Sequence, residues 1–123
     1  MTVLAIFPAD PSPELAQLLD LSGFVWKGIA EAGDVDRLEP EDGWGGAIVQ
    51  IGDDSETGWG ILRAFRKRDI PVSPLLLIIR GNELQELELR DDLFDDFCLD
   101  PFHPRELEAV SYTHLRAHET VLD

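Results

Sequence analysis

The chain has one cysteine, one methionine and one tyrosine in 123 residues, and only ten Lys and Arg against 25 Asp and Glu. A lone Cys98 excludes a disulfide framework and makes a reducing compartment, the cytoplasm, the default expectation. The shortage of cations leaves a formal net charge of −15. Such a surface repels phosphate backbones, so direct binding of nucleic acid by this chain is not expected. Long apolar runs are missing too. None, Leu75 to Ile79 included, approaches the length of a membrane span. The start, Met1-Thr2-Val3-Leu4, has neither a basic region nor a small-residue cleavage site, so it does not read as a secretory signal. There is also no Gly-rich phosphate loop, Ser-His-Asp order, Cys-x-x-Cys pair or nucleophile elbow.

What is present suits one folded domain. Apolar residues make up 44% of the chain, with 10 Gly and 8 Pro, well clear of disordered composition. The acid is unevenly spread. Between Asn82 and Glu108, ten acidic residues stand against Arg90 and Arg105 alone. A solvated face is the preferred reading of that stretch; a partner-selective acidic surface is the sharper one.

Periodicity gives an alternating order of strands and helices. Thr2 to Phe7 is a nearly continuous apolar run, as in a strand buried on both faces. Ser12-Pro13-Glu14 supplies a capping hydroxyl, a proline for the first helical position and an acid for the first turn. Leu15, Leu18 and Leu19 make the apolar stripe of that helix, and Gly23 sits where it should stop. Phe24 to Ile29 reads as a second strand, and Asp34 to Glu39 as a short helix. Ala47 to Ile51 is a third, buried strand. Ser55-Glu56 opens a helix with Trp59, Leu62 and Phe65 on its inner face. Arg63, Arg66, Lys67 and Arg68 gather near its end, where cations favour the helix dipole. Leu75 to Ile79 is the clearest strand. A charged helix is expected over Asn82 to Leu93, a fifth strand at Phe97-Cys98-Leu99, and a last helix from near Pro104.

Such alternation implies right-handed crossovers and a parallel sheet covered on both faces. Five units in this length suit a doubly wound α/β domain, flavodoxin-like, with strand order 2-1-3-4-5. In that architecture functional groups lie at the carboxyl ends of the strands.

Residues 2 to about 109 resemble the receiver domain of bacterial response regulators, with its CheY-like fold. The segment Asp95 to Leu107 looks like the family's fifth strand, its lysine followed by Pro-Phe, and the opening of its last helix. Receivers also carry a glycine eight residues after the phosphate-accepting aspartate, and Gly58 stands at that spacing from Gln50. The resemblance implies a chemistry: two acids and the acceptor hold Mg²⁺, the acceptor carboxylate attacks phosphorus, and a hydroxyl and a lysine bind the phosphoryl oxygens. Here the acidic pair falls on Phe7 and Pro8, the acceptor on Gln50, the hydroxyl on Arg80 or its neighbour Ile79, and the lysine on Asp100. Every one of these positions departs from the pattern. The resemblance therefore implies a degenerate receiver, with no catalytic residue, no metal and no cofactor.

Three further expectations follow. Phe97 matches the family's signalling aromatic, on the face of the fourth helix, fifth strand and last helix that receivers use for protein contact or homodimerisation. Without a phosphate trigger a fixed packing role is expected for it. Arg80 and Asp100, at the ends of neighbouring strands, would pair as a constitutive link, or else stay separately solvated. The competing reading keeps phosphorylation, with an off-register acceptor at Asp53 or Asp54. A small flavodoxin-like enzyme or nucleotide binder is a third reading, which no motif supports.

Residues 110–123, from Val110-Ser111-Tyr112 to Asp123, resemble a translated sequencing-adapter tail, replacing the expected continuation of the last helix. His114, His118 and Glu119 have the spacing of half a zinc site on a helix but lie in that tail. The native domain is thus expected at 1–109 with its last helix truncated. By resemblance, a winged-helix DNA-binding domain would follow in a full-length transcription regulator.

Overall fold

The computed structural model describes residues 3–21, 23–52, 55–68, 72, 74–80, 91–100 and 105. Five strands alternate with helices: β1 Val3–Phe7, α1 Pro13–Leu21, β2 Val25–Gly28, α2 Asp34–Arg37, β3 Gly46–Gln50, α3 Ser55–Arg66, β4 Leu75–Arg80 and β5 Asp96–Asp100. A 3₁₀ turn, Asp91–Leu93, precedes β5. All neighbouring strands run parallel, and their order across the sheet is β2-β1-β3-β4-β5. This is the doubly wound arrangement that the alternation of patterns predicts.

The core follows from strand alternation, because successive side chains leave a sheet on opposite faces. Ala5, Ala47, Val49, Leu75, Leu77 and Ile79 meet Trp59, Ile61, Leu62 and Phe65 of α3 on one face. Leu4, Ile6, Ile48, Leu76, Ile78 and Cys98 meet Leu15 and Leu19 of α1 on the other. The central strands are apolar up to their last residues, Gln50 and Arg80, because both of their faces are covered. Cys98 packs as a small buried hydrophobe.

Local chemistry sets the helix ends. The Ser12 Oγ accepts the Leu15 N–H at 3.4 Å, the expected cap of α1. Gly23 ends that helix at φ 78°, donating to the Asp20 carbonyl while the Phe24 N–H reaches the Leu19 carbonyl. Only glycine adopts that left-handed turn without cost. Of the cations at the end of α3, two are used inside the fold. Arg66 pairs with Asp95 at 3.0 Å, and Arg68 pairs with Glu39 and, at 3.5 Å, with Asp36. Arg63 and Lys67 are exposed.

Some expected boundaries move. The second strand covers Val25–Gly28, shorter than Phe24 to Ile29, and the Ile29 N–H makes the last ladder bond, to the Ile6 carbonyl at 2.7 Å. The helix expected over Asp34 to Glu39 closes at Arg37. The fifth strand gains Asp96 and Asp100 at its ends. The expected charged helix lies outside the described residues up to Arg90, and Asp91–Leu93 is 3₁₀. Of the last helix only Arg105 is described, and it is helical. Phe102, Leu107 and the tail at 110–123 also lie outside the described residues. Among those described, no helix is long and apolar enough to cross a membrane.

Candidate functional site

The carboxyl ends of the strands, the site this fold offers, carry Gly28, Phe7, Gln50, Arg80 and Asp100 from one edge of the sheet to the other. Register fixes their relation. Phe7 partners Val49, Gln50 partners Ile78, and Arg80 partners Asp100. Phe7 ends β1 half-buried, packed against the α3-side core, so its ring completes that core. Pro8 follows through a cis peptide and is half-buried. Gln50 is half-buried at the end of β3 and Arg80 is exposed at the end of β4. Alternation puts Gln50 and Arg80 on the face that also carries Ile48 and Ile78. Arg80 and Asp100 are thus brought together in the backbone as expected; the side chain of Asp100 lies outside the described residues.

Gly58 now has a physical reason. A Cβ there would lie 2.9 Å from Ile51 Cγ1, too close for two carbons. Ile51 is the buried residue that follows Gln50, and its N–H reaches the Ile78 carbonyl at 2.8 Å. The glycine lets the first turn of α3 sit directly on the end of β3. That contact anchors the register in which Gln50 occupies the central strand end.

Mg²⁺ does not fit this residue set. A hard divalent cation wants an octahedral shell of oxygens, usually including carboxylates. Phe7 and Pro8 offer no side-chain oxygen, Gln50 offers one neutral amide oxygen, and the one carboxylate of the set belongs to Asp100, on β5, two strands from β3. Asp10 is an exposed loop residue beyond β1, and Asp53 and Asp54 lie outside the described residues. Among the described residues, no three His, Cys, Asp or Glu side chains gather as a metal-holding group. Nor does a phosphoryl acceptor follow from Gln50, whose uncharged amide is a poor nucleophile.

One titratable group beside these ends carries no distinguishing signal in the sequence. Asp34 is only 3% exposed. Its carboxylate accepts the Ala30 N–H at 3.0 Å, the Glu31 N–H at 3.3 Å and the Arg37 guanidinium, folding the loop after β2 back on itself. The Arg37 hydrogen bond, then the Ala30 N–H, hold its pKa below the ordinary 3.8, against the opposing pull of burial. A depressed folded pKa makes this clamp fully stabilising above the unfolded value and weakens it as pH falls through the folded one. The stability gap between the parent and Asp34→Asn should therefore be widest near neutrality and shrink in strong acid. Urea denaturation across that range checks it; a gap that widens in acid contradicts the assignment.

Comparison with known proteins supplies a fold. No family model matches the chain. Solved structures do. A CheY-like response regulator receiver domain protein of Methanospirillum hungatei JF-1 superposes with a TM-score of 0.70 at 20% identity, over 98% of each chain. The receiver domain of a sensor histidine kinase of Pseudomonas aeruginosa PAO1, with a magnesium ion in its active-site cleft, gives 0.70 at 15% identity, covering 93% of this chain and 97% of that one. An adenylate cyclase of Rhodopirellula baltica gives 0.71 at 14% identity, covering 98% and 91%. At such identities the likeness concerns the fold and leaves activity open. The chain has the CheY-like receiver fold, a five-stranded parallel sheet in the order 2-1-3-4-5.

Proposed function

We propose that this chain is a receiver-type signalling domain of a response regulator that works without aspartyl phosphorylation. The observation that carries the reading is the residue set at the strand ends. Phe7, Pro8, Gln50, Arg80 and Asp100 stand in the positions where the fold offers its chemistry; the acidic-pair and acceptor positions hold no carboxylate, and the one carboxylate of the set, Asp100, stands on β5, two strands from Gln50, where receivers carry a lysine. The Gly58–Ile51 contact supports the register on which this rests. With Phe7 turned into the core, the end of β1 serves packing and not metal binding.

A module of this kind acts by contact, with a protein partner or with a second copy through the face formed by the fourth helix, β5 and the last helix. A net charge of −15 sets it against direct contact with nucleic acid, so gene regulation would need a separate DNA-binding domain. Cytoplasmic placement in two-component signalling accords with the single cysteine.

The test is a titration of the chain with Mg²⁺ and beryllofluoride, followed by tryptophan fluorescence and amide spectra, beside incubation with a small-molecule phosphodonor and intact-mass measurement. The expected outcome is no saturable change and no phosphoryl adduct. Saturable binding, or an adduct mapped to Asp53 or Asp54, would make this a working receiver with a displaced acceptor.

A further inference from the structure

The approach to β5 holds an aromatic arrangement that the strand ends do not explain. Phe97 is 38% exposed and Leu99 is 41% exposed. Their two-residue spacing places both on one face of β5, while Cys98 between them enters the α1-side core. A ring this accessible on an edge strand ordinarily has several staggered positions open to it. Phe97 has a partner instead. The Phe94 ring meets it edge to face, centroids 6.3 Å apart at 84°.

Phe94 is itself packed against the α3-side core beside Leu93. The chain between the two rings is tied down. Asp95 donates its N–H to the Leu75 carbonyl at 2.8 Å, and its carboxylate accepts the Leu75 N–H at 2.7 Å. Arg66 reaches the same carboxylate oxygen at 3.0 Å. The Phe97 N–H donates to Asp96 Oδ1 at 2.8 Å. One ring is thus fixed to the core, and the backbone leading to the other is fixed to β4 and α3.

We propose that Phe94 is a positioning residue that holds Phe97 in one rotamer, so that Phe97 and Leu99 form a permanent apolar step on β5. The state of this step is set at the amino end of β5, by packing. The inference does not rest on the reading of the carboxyl ends of the strands. An edge-to-face pair is strong enough to shift a rotamer equilibrium roughly two- to tenfold, and the tethers on Asp95 keep Phe94 from following Phe97 outward.

The experiment labels the phenylalanines of the full chain with ¹³C and ¹⁵N and reads the χ1 populations of Phe97 from its three-bond couplings to the side-chain Cγ, which average over fast rotamer hops, with no phosphodonor or metal added. Its failure is therefore separable from failure of the phosphorylation reading. The parent should show one χ1 rotamer. Phe94→Leu keeps an apolar contact with the core but removes the ring edge. With the sheet's amide spectrum retained, it should give averaged couplings, with rotamer populations moved roughly two- to tenfold. Phe94→Tyr, which keeps the ring edge, should keep the single rotamer. Should Phe94→Leu not fold, Phe94→Met is read in the same way. Averaged couplings at Phe97 in the parent, or a folded Phe94→Leu or Phe94→Met variant that keeps the single rotamer, overturns the proposal.

Discussion

Phe65→Ala is expected to cost about 3–5 kcal/mol of folding stability, the usual range for truncating a fully buried aromatic ring. Phe65 is 0% exposed and lies in the last turn of α3, in the core cluster with Trp59, Leu62, Val72, Leu75 and Leu77. Its ring also meets Trp44 edge to face, centroids 6.4 Å apart at 85°. Trp44 cannot collapse into the vacated space freely, because its Nε1–H is held by the Val35 carbonyl at 2.8 Å. The cavity would stay largely open, which places the cost towards the top of the range. A domain of this size has roughly 5–15 kcal/mol in all, so a large part of the folded margin goes. The midpoint of thermal unfolding should fall by roughly 10–20 °C. Phe65→Leu, closer in volume, should lose about 1 kcal/mol. Urea and thermal melts give the values, and Trp44 emission should shift to the red in the alanine variant. A drop of only a few degrees would mean that α3 is not seated on the sheet as described.

The place of that ring in the core is legible in the sequence, and the reason is periodicity. Trp59, Leu62 and Phe65 recur at helical spacing behind a Ser-Glu start, and β3 and β4 are apolar up to their last residues because helices cover both of their faces. The strand ends are legible for the same reason. They are read to within one residue: the third strand, expected to end at Ile51, ends at Gln50, and the fourth, expected to end at Ile79, ends at Arg80, while Gly58 follows Gln50 at a countable distance. Side-chain partnerships are another matter. Asp34 reads as one more acid in an acidic chain, since nothing in a sequence tells a carboxylate that caps two backbone N–H groups from one facing water. The Arg37 three residues on is a weak signal, because such spacing is common on exposed helices. Phe94 is hidden similarly. It ends a charged stretch and meets Phe97 only because the chain turns between the 3₁₀ segment and β5. The role of Phe7 as core, rather than as a vacant metal position, depends on which face its ring enters, and a strand buried on both sides gives no sign of that.

Gly28→Ala should cost about 1–3 kcal/mol although it adds a single methyl group. Gly28 ends β2, in register with Ile6, and the loop after β1 passes directly over it. A Cβ at Gly28 would lie 2.7 Å from the Ala9 carbonyl oxygen, 2.8 Å from Ala9 Cα and 3.1 Å from its carbonyl carbon. All three are backbone atoms, so no rotamer change relieves the overlap; the loop or the strand must move. The strand is held by the Ile29 N–H to the Ile6 carbonyl at 2.7 Å and, just beyond, by the Asp34 clamp on Ala30 and Glu31. The loop is the weaker party, and displacing it disturbs Phe7 and Pro8, which lead into it. Two glycines set the scale. Gly52→Ala meets nothing within 4 Å and should be neutral or slightly stabilising, through the unfolded chain. Gly58→Ala meets the Ile51 side chain, which can shift by rotation, and should fall between. The rank order in urea midpoints tests the packing. Amide shifts confined to Phe7, Ala9 and residues 28–30 in Gly28→Ala would locate the strain. Were Gly28→Ala as stable as Gly52→Ala, the loop after β1 could not rest on the end of β2, and the approach of Ala9 to Gly28 would have to be abandoned.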